Sequence, residues 1–356
     1  MLITVGLACV TALSAAAVSG AAAPAGASTT GATRAAVTYA PLDRPGPALT
    51  VPGAKLAASL HCHGNLAKGT LEPVLLNPAT GVTPKQNYSW NYERAFDAQH
   101  RAWCSVTMPY DTLGNITTAG QYLVHAIRTM HARAGRRIAV LGHSQGGMSM
   151  RWALRFWPGT RAMVDDVIGM AGSNHGTTVA LPCHAGVTRC VPADWQQVAG
   201  SKFLAALNSR AETFSGISYT EIFTHTDEVV QPNDTDADSS SALHTGHGTI
   251  ANVSTQDVCP TDVDEHLLIG TVDPTAYALV MDALDHRGPA KASRVDTAKV
   301  CSELYQPGVD PTDAKRDIAL LEGAPGLAAV STPDVNLVGA PEVPREPGLP
   351  HFVFAS

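Results

Sequence analysis

The sequence predicts an α/β protein, a mostly parallel central sheet with helices covering both faces. Two observations carry this. Short apolar runs of strand length alternate with helix-length stretches whose apolar residues recur at 3.6-residue spacing, and parallel strands need such crossover helices. The runs are also bounded by Pro and Gly, which end strands and start turns. With 356 residues, 45 % of them hydrophobic, the chain is long enough for one large core.

The elements follow in chain order. Residues 1–28 carry no charged side chain, and the apolar run from Leu2 to Leu13 gives way to small residues with A-x-A-like cleavage sites. This is expected to be a secretory signal peptide, since its apolar part is shorter than the ~20 residues that span a bilayer. Residues 29–50 are expected to form a flexible leader, residues 51–332 the single folded domain, and residues 333–356 a Pro-rich tail packed on it. Within the domain, Leu71 to Asn77 reads as a strand that Pro78-Ala79-Thr80-Gly81 ends. Trp103 to Met108 is a second strand. Residues 117–134 form an amphipathic helix, and Arg136 to Leu141 a short buried strand. Residues 145–157 form the next helix, which Pro158 stops. Asp166 to Ala171 and Ile217 to Thr224 are further strands.

Charge and cysteines narrow the setting. The net charge of −7 contains no Lys/Arg run longer than two, which argues against nucleic acid and anionic membranes as partners. Cys9 lies in the signal peptide; the six others form an even set that fits disulfides in an oxidising, extracellular compartment, with the pairing left open. No C-x-x-C occurs. His61-Cys62-His63 looks metal-like, but a bonded cysteine cannot be a ligand, and His244-x-x-His247 reads as a solvated loop. No metal and no cofactor are expected.

The strongest functional pattern is Gly142-His143-Ser144-Gln145-Gly146, placed between an apolar strand and a helix. This G-x-S-x-G pattern suits a serine nucleophile on a strained turn, with glycines two positions away removing steric collisions. The helix that starts at Gln145 points free N–H groups at the site, so the Gln145 amide serves an oxyanion. A second donor is expected from the turn after an early strand, where Thr80 offers its N–H and hydroxyl. A serine nucleophile needs a base and an orienting carboxylate, following in the order Ser, Asp or Glu, His. Asp227 ends a strand-like run, whereas Asp234, Asp236 and Asp238 lie in a polar loop. For the histidine, His175, His184, His225, His244, His247, His266, His286 and His351 compete, and position favours His266.

These residues resemble the family of secreted lipases typified by Candida antarctica lipase B and its bacterial relatives, over about residues 60 to 328. Pro78-Ala79-Thr80-Gly81 is similar to its oxyanion loop, Ser144-Gln145-Gly146-Gly147 to its nucleophile turn, and Thr226 to Pro232 to its acid segment. Val258-Cys259 ahead of His266 resembles its histidine loop. Gly142-His143 departs from that lipase and follows the more usual hydrolase pattern. The resemblance implies an α/β-hydrolase catalytic domain with Ser144, Asp227 and His266 as catalytic triad. It also implies an oxyanion hole of Thr80 and Gln145, and a substrate pocket of Ser173, Trp195 and Gln197. It proposes the disulfides Cys62–Cys104 and Cys259–Cys301, and leaves Cys183–Cys190 as a local clip after Gly176-Thr177. The activity implied is that of a secreted monomeric lipase or carboxylesterase, acting on ester or lipid substrates, including at a lipid–water interface. An acyltransferase or polyester hydrolase using the same triad is a rival. So is a non-catalytic binding protein that kept the fold.

Overall fold

The computed structural model describes residues 37–179, 183–235, 237–327 and 336–355. The signal peptide expected over residues 1–28 lies outside them. The unit from Thr38 to Ser356 is built on a seven-stranded sheet. Its strands are β1 (Leu60–His63), β2 (Val74–Asn77), β3 (Trp103–Val106), β4 (Ile138–His143), β5 (Val164–Met170), β6 (Ser218–Phe223) and β7 (Thr249–Ser254). Their order is β1-β3-β2-β4-β5-β6-β7; β1 pairs antiparallel with β3, and all other neighbours run parallel.

The central strands are buried on both faces, as parallel strands under crossover helices must be. All four residues of β2 and all six of β4 are buried. One face is covered by α1 (Ile116–Ala134) and α2 (Gln145–Phe156), whose apolar stripes share a core with Leu75, Val140 and Val167. The other face is covered by α4 (Pro274–Asp285) and the short helix Tyr92–Ala98, packed on Leu76, Leu141 and Ile168. Between α2 and α4 lies the short α3 (Pro192–Gln197); α5 (Ala314–Glu322) comes late in the chain.

Local chemistry sets the ends. α1 begins at Asn115, not at Thr117, because the Asn115 carboxamide accepts from the Thr117 N–H. It ends at Gly135, which takes the left-handed conformation (φ 64°) that glycine adopts freely. β4 starts two residues later than the sequence suggested and runs on to His143. Residues 38–50, expected to be a flexible leader, are packed on the domain. Tyr39 bridges to Phe354, Arg155 donates to the Ala40 carbonyl at 2.7 Å, and the Trp157 indole donates to the Pro47 carbonyl at 2.8 Å. The C-terminal strip meets the same surface, with Phe352 against Phe156 and Trp157.

Three disulfides close the fold, Cys62–Cys104, Cys183–Cys190 and Cys259–Cys301. The first joins directly opposed residues of β1 and β3.

The packing of α1 on α2 yields a test. A Cβ built on Gly120 would stand 2.4 Å from Cδ1 of Trp152, which is fully buried, stacked on Phe203 and tilted against Phe156. Helix propensity alone makes Gly→Ala stabilising by about 1 kcal/mol, while overpacking costs about 1–3 kcal/mol. Gly120→Ala is therefore expected to lower the Tm; a Tm equal to or above that of the wild type would show that the interface yields.

Candidate active site

The site sits at the carboxyl edge of the parallel sheet, where β4 turns into α2. Ser144 occupies the turn at φ 55°, ψ −124°, a conformation that L-residues rarely adopt. The glycines around it are required by close approach. A Cβ on Gly142 would lie 2.3 Å from the Gly146 backbone, and one on Gly146 would lie 2.1 Å from the Asn77 carbonyl oxygen. The collisions avoided are thus with the facing backbone of the turn and β2. The Asn77 side chain locks the contact, donating to the Gly146 carbonyl at 2.7 Å and to Ser149 Oγ at 2.9 Å.

His266 Nε2 lies 2.9 Å from Ser144 Oγ, and His266 Nδ1 lies 2.9 Å from Asp227 Oδ2. All three side chains are buried. The other Asp227 oxygen accepts from the Val229 and Val230 N–H groups at 2.9 and 2.7 Å, which fixes the carboxylate just beyond β6. Burial pushes His266 down, but the facing Asp227 carboxylate, with Glu228 and Glu265, more than offsets it and leaves its pKa above the ordinary 6.5. Nδ1–H then points at Asp227, and neutral Nε2 is free to accept the serine proton.

Behind His266 stands His143, fully buried, its rings 5.4 Å apart. His143 Nε2 lies 2.8 Å from the His266 carbonyl oxygen, so it donates there, and Nδ1 accepts from the Asn87 amide at 3.3 Å. Burial lowers its pKa to about 3, which keeps this second histidine neutral and suited to bracing.

A cavity of about 150 Å³ opens beside Ser144. Its wall includes Ala79, Thr80, Ser173, Asp194, Gln197, Val229, Val230, Leu267 and Leu327. Thr80 and Gln197 are among its polar lining residues, and the Gln145 side chain stands behind them, bonded to the Thr80 hydroxyl. The Ala79 N–H is taken by Asn87 and the Gly81 N–H by Thr112, so the Thr80 N–H is the amide of that turn with no recorded acceptor among the described residues. Gln145 N–H, at the first position of α2, has no intrahelical acceptor. The Thr80 hydroxyl donates to Gln145 Oε1 at 3.0 Å, Ser173 Oγ donates to Gln197 Oε1 at 2.9 Å, and Gln197 Nε2 stands 3.1 Å from Thr80 Oγ1. These side chains form one buried polar network.

Trp195 is not on this wall. One turn of α3 turns Asp194 and Gln197 toward the cavity, and the intervening Trp195 faces elsewhere, donating to the Val343 carbonyl at 3.0 Å. Asp194 takes the place expected for it: it is 2 % exposed, and neither carboxylate oxygen has a hydrogen-bond partner. Burial raises it to about 8, so it is neutral at pH 7. The other candidates are engaged elsewhere. His175 bonds Glu212 at 2.7 Å, His244 stacks on His175, and His286 pairs with Asp282. Asp236 lies outside the described residues. Among the described residues, the metal-like group that touches this cavity is Cys183, Cys190 and Asp194, and its two sulfurs are joined in a disulfide.

A strained serine on a strand–turn–helix, at the carboxyl edge of a mostly parallel sheet, defines the class: the fold is that of the α/β-hydrolases. Residues 121–260 match the family described as Lipase (class 2). The chain is 32 % identical over 223 residues to lipase B of Pseudozyma antarctica, covering 62 % of this chain and 64 % of that protein, so it spans somewhat less than two thirds of the relative's length. The crystal structure of Aspergillus fumigatus lipase B superposes with a TM-score of 0.78 at 28 % identity, over 87 % of this chain and 74 % of that one. By residue and by backbone, the chain is similar to these lipases.

The His266–Asp227 pair predicts a pH dependence. With His266 as base, Ser144 is expected to react only while the imidazole is neutral, so its labelling by a fluorophosphonate should fall with falling pH on a limb above that of a free imidazole. In Asp227→Asn the limb should move to lower pH and the plateau drop by about 10⁴-fold. An unchanged limb would mean that Asp227 does not govern His266.

Proposed function

We propose that the chain is a secreted serine ester hydrolase, a lipase or carboxylesterase with Ser144, His266 and Asp227 as its catalytic triad. The observation that carries this reading is the continuous hydrogen-bonded line from Asp227 through His266 to Ser144, ending at a largely apolar cavity. His266 takes the hydroxyl proton as Ser144 attacks the ester carbonyl. Asp227 holds the imidazole and stabilises its charged form. The negative oxygen of the tetrahedral species is received by the amides of Thr80 and Gln145, and each such donor is worth about 3 kcal/mol. His266 then returns the proton to the leaving alcohol, and water releases the acyl group from Ser144.

The cavity suggests the acyl preference. At about 150 Å³ it has room for roughly five water-sized groups. A short acyl chain fits within it, and a long one must leave it. Three disulfides support export to an oxidising compartment. We take the exported form to be the 51–332 domain with its packed flanks, after loss of residues 1–28.

Hydrolysis of p-nitrophenyl butyrate and palmitate by the mature chain tests this. Both should turn over, butyrate with kcat/KM at least about tenfold higher. Ser144→Ala should lose at least about 10⁴-fold on either ester. A folded Ser144→Ala protein with wild-type turnover would remove the serine mechanism.

A further inference from the structure

The loop that delivers His266 and the start of α4 bring three carboxyl groups together. Asp262, Asp264 and Asp273 each offer a carboxylate oxygen, and these atoms lie within 4.8 Å of one another. Asp273 is fully buried. One of its oxygens caps α4 by accepting from the Thr275 N–H at 2.6 Å; the other, Oδ2, has no hydrogen-bond partner. Asp262 repeats the pattern: Oδ1 accepts from the Asp264 N–H at 2.9 Å, and Oδ2 is buried and unpartnered. Among the described residues, no Lys, Arg or His forms an ion pair with any of the three. Buried carboxylate oxygens without donors are strongly disfavoured unless a cation or a proton satisfies them.

We propose that Asp262, Asp264 and Asp273 form a calcium site that fastens the His266 loop to the start of α4. The spacing allows it, since two Ca–O bonds of about 2.4 Å can bridge oxygens up to about 4.8 Å apart. The donor set is hard oxygen only, with no thiolate or imidazole to draw a softer metal. Calcium accepts irregular shells completed by water and backbone carbonyls, as a loop and a helix cap provide. A second acidic group, Glu72, Asp165 and Asp166, also holds unpartnered oxygens on Glu72 and Asp166, but there Arg137 Nη1 lies 2.9 Å from Asp165 and supplies a cation. The consequence is positional. Asp262 and Asp264 immediately precede His266, and Thr226 Oγ1 donates to the Asp264 carbonyl at 2.9 Å, so one ion would tie the base loop to the acid loop.

The test needs no substrate and does not depend on the esterase reading. The mature chain, freed of metal by chelator, is titrated with CaCl₂ by calorimetry, and its Tm is measured in 10 mM CaCl₂, 10 mM MgCl₂ and EDTA. One site with a Kd of about 10⁻⁴–10⁻³ M is expected. Calcium should raise the Tm by ~3–6 °C, and magnesium by less than about half of that. Asp262→Asn and Asp264→Asn keep the shape, and Asp262→Asn keeps the Oδ1 contact with the Asp264 N–H. Each should weaken calcium about tenfold or more and abolish the Tm gain, with a Tm in EDTA no lower than that of the wild type. No binding heat and equal Tm in calcium and EDTA would overturn the proposal, leaving a proton-sharing cluster. A calcium-induced gain that survives both substitutions would overturn it by placing the ion elsewhere, and a magnesium gain equal to that of calcium would overturn the assignment of the metal.

Discussion

Where β4 gives way to α2, backbone meets backbone so closely that no side chain fits between them. A Cβ at Gly142 or Gly146 would stand little more than 2 Å from facing backbone atoms. That contact holds Ser144 at positive φ and brings its side chain to the cavity, with the first turn of α2 directly behind it. Much else at the site is arranged around it. The Asn77 side chain holds the turn to β2, and the turn that follows β2 thereby brings Ala79 and Thr80 to the cavity, with the Thr80 hydroxyl bonded to the Gln145 side chain.

The remaining two members are set by loops, and loops need fixing. Asp227 is fixed by local geometry, since two successive amides of its own loop bind one carboxylate oxygen. His266 is fixed from several sides: Asp227 holds Nδ1, and the neutral His143 holds its carbonyl. Glu265 caps the short helix that His266 opens, and the Cys259–Cys301 bridge anchors the loop upstream. Preorganisation of this kind keeps the imidazole in one tautomer and one orientation before any substrate arrives.

Much of this was legible in the sequence, and the reasons differ by element. The buried strands β2 to β6 announced themselves as apolar runs because both their faces are covered. β1 did not, since three of its four residues are exposed and no apolar run marks it. β7 is also an edge strand of mixed burial. α4 carried a readable start, Asp273 as cap and Pro274 after it, but its near-continuous apolar character hides the helical period. At the site, the position of Ser144 followed from steric logic that one sequence can express. The bracing roles of His143 and Asn77 could not be read so, because they depend on contacts across 123 and 69 residues. The family resemblance implies Trp195 in the cavity wall, and the rotation of a single helical turn puts Asp194 there instead. An Asp in a short polar helix reads as a surface residue until its burial is seen.

The central claim is that the strained turn aims the serine and two backbone amides at one point. A crystal structure of the chain after reaction with a small phosphonate ester tests it most directly. The phosphorus should be bonded to Ser144 Oγ alone, with its free oxygen about 2.7–3.1 Å from the amide nitrogens of both Thr80 and Gln145. An adduct on another residue, or an oxygen turned away from those two amides, would contradict it.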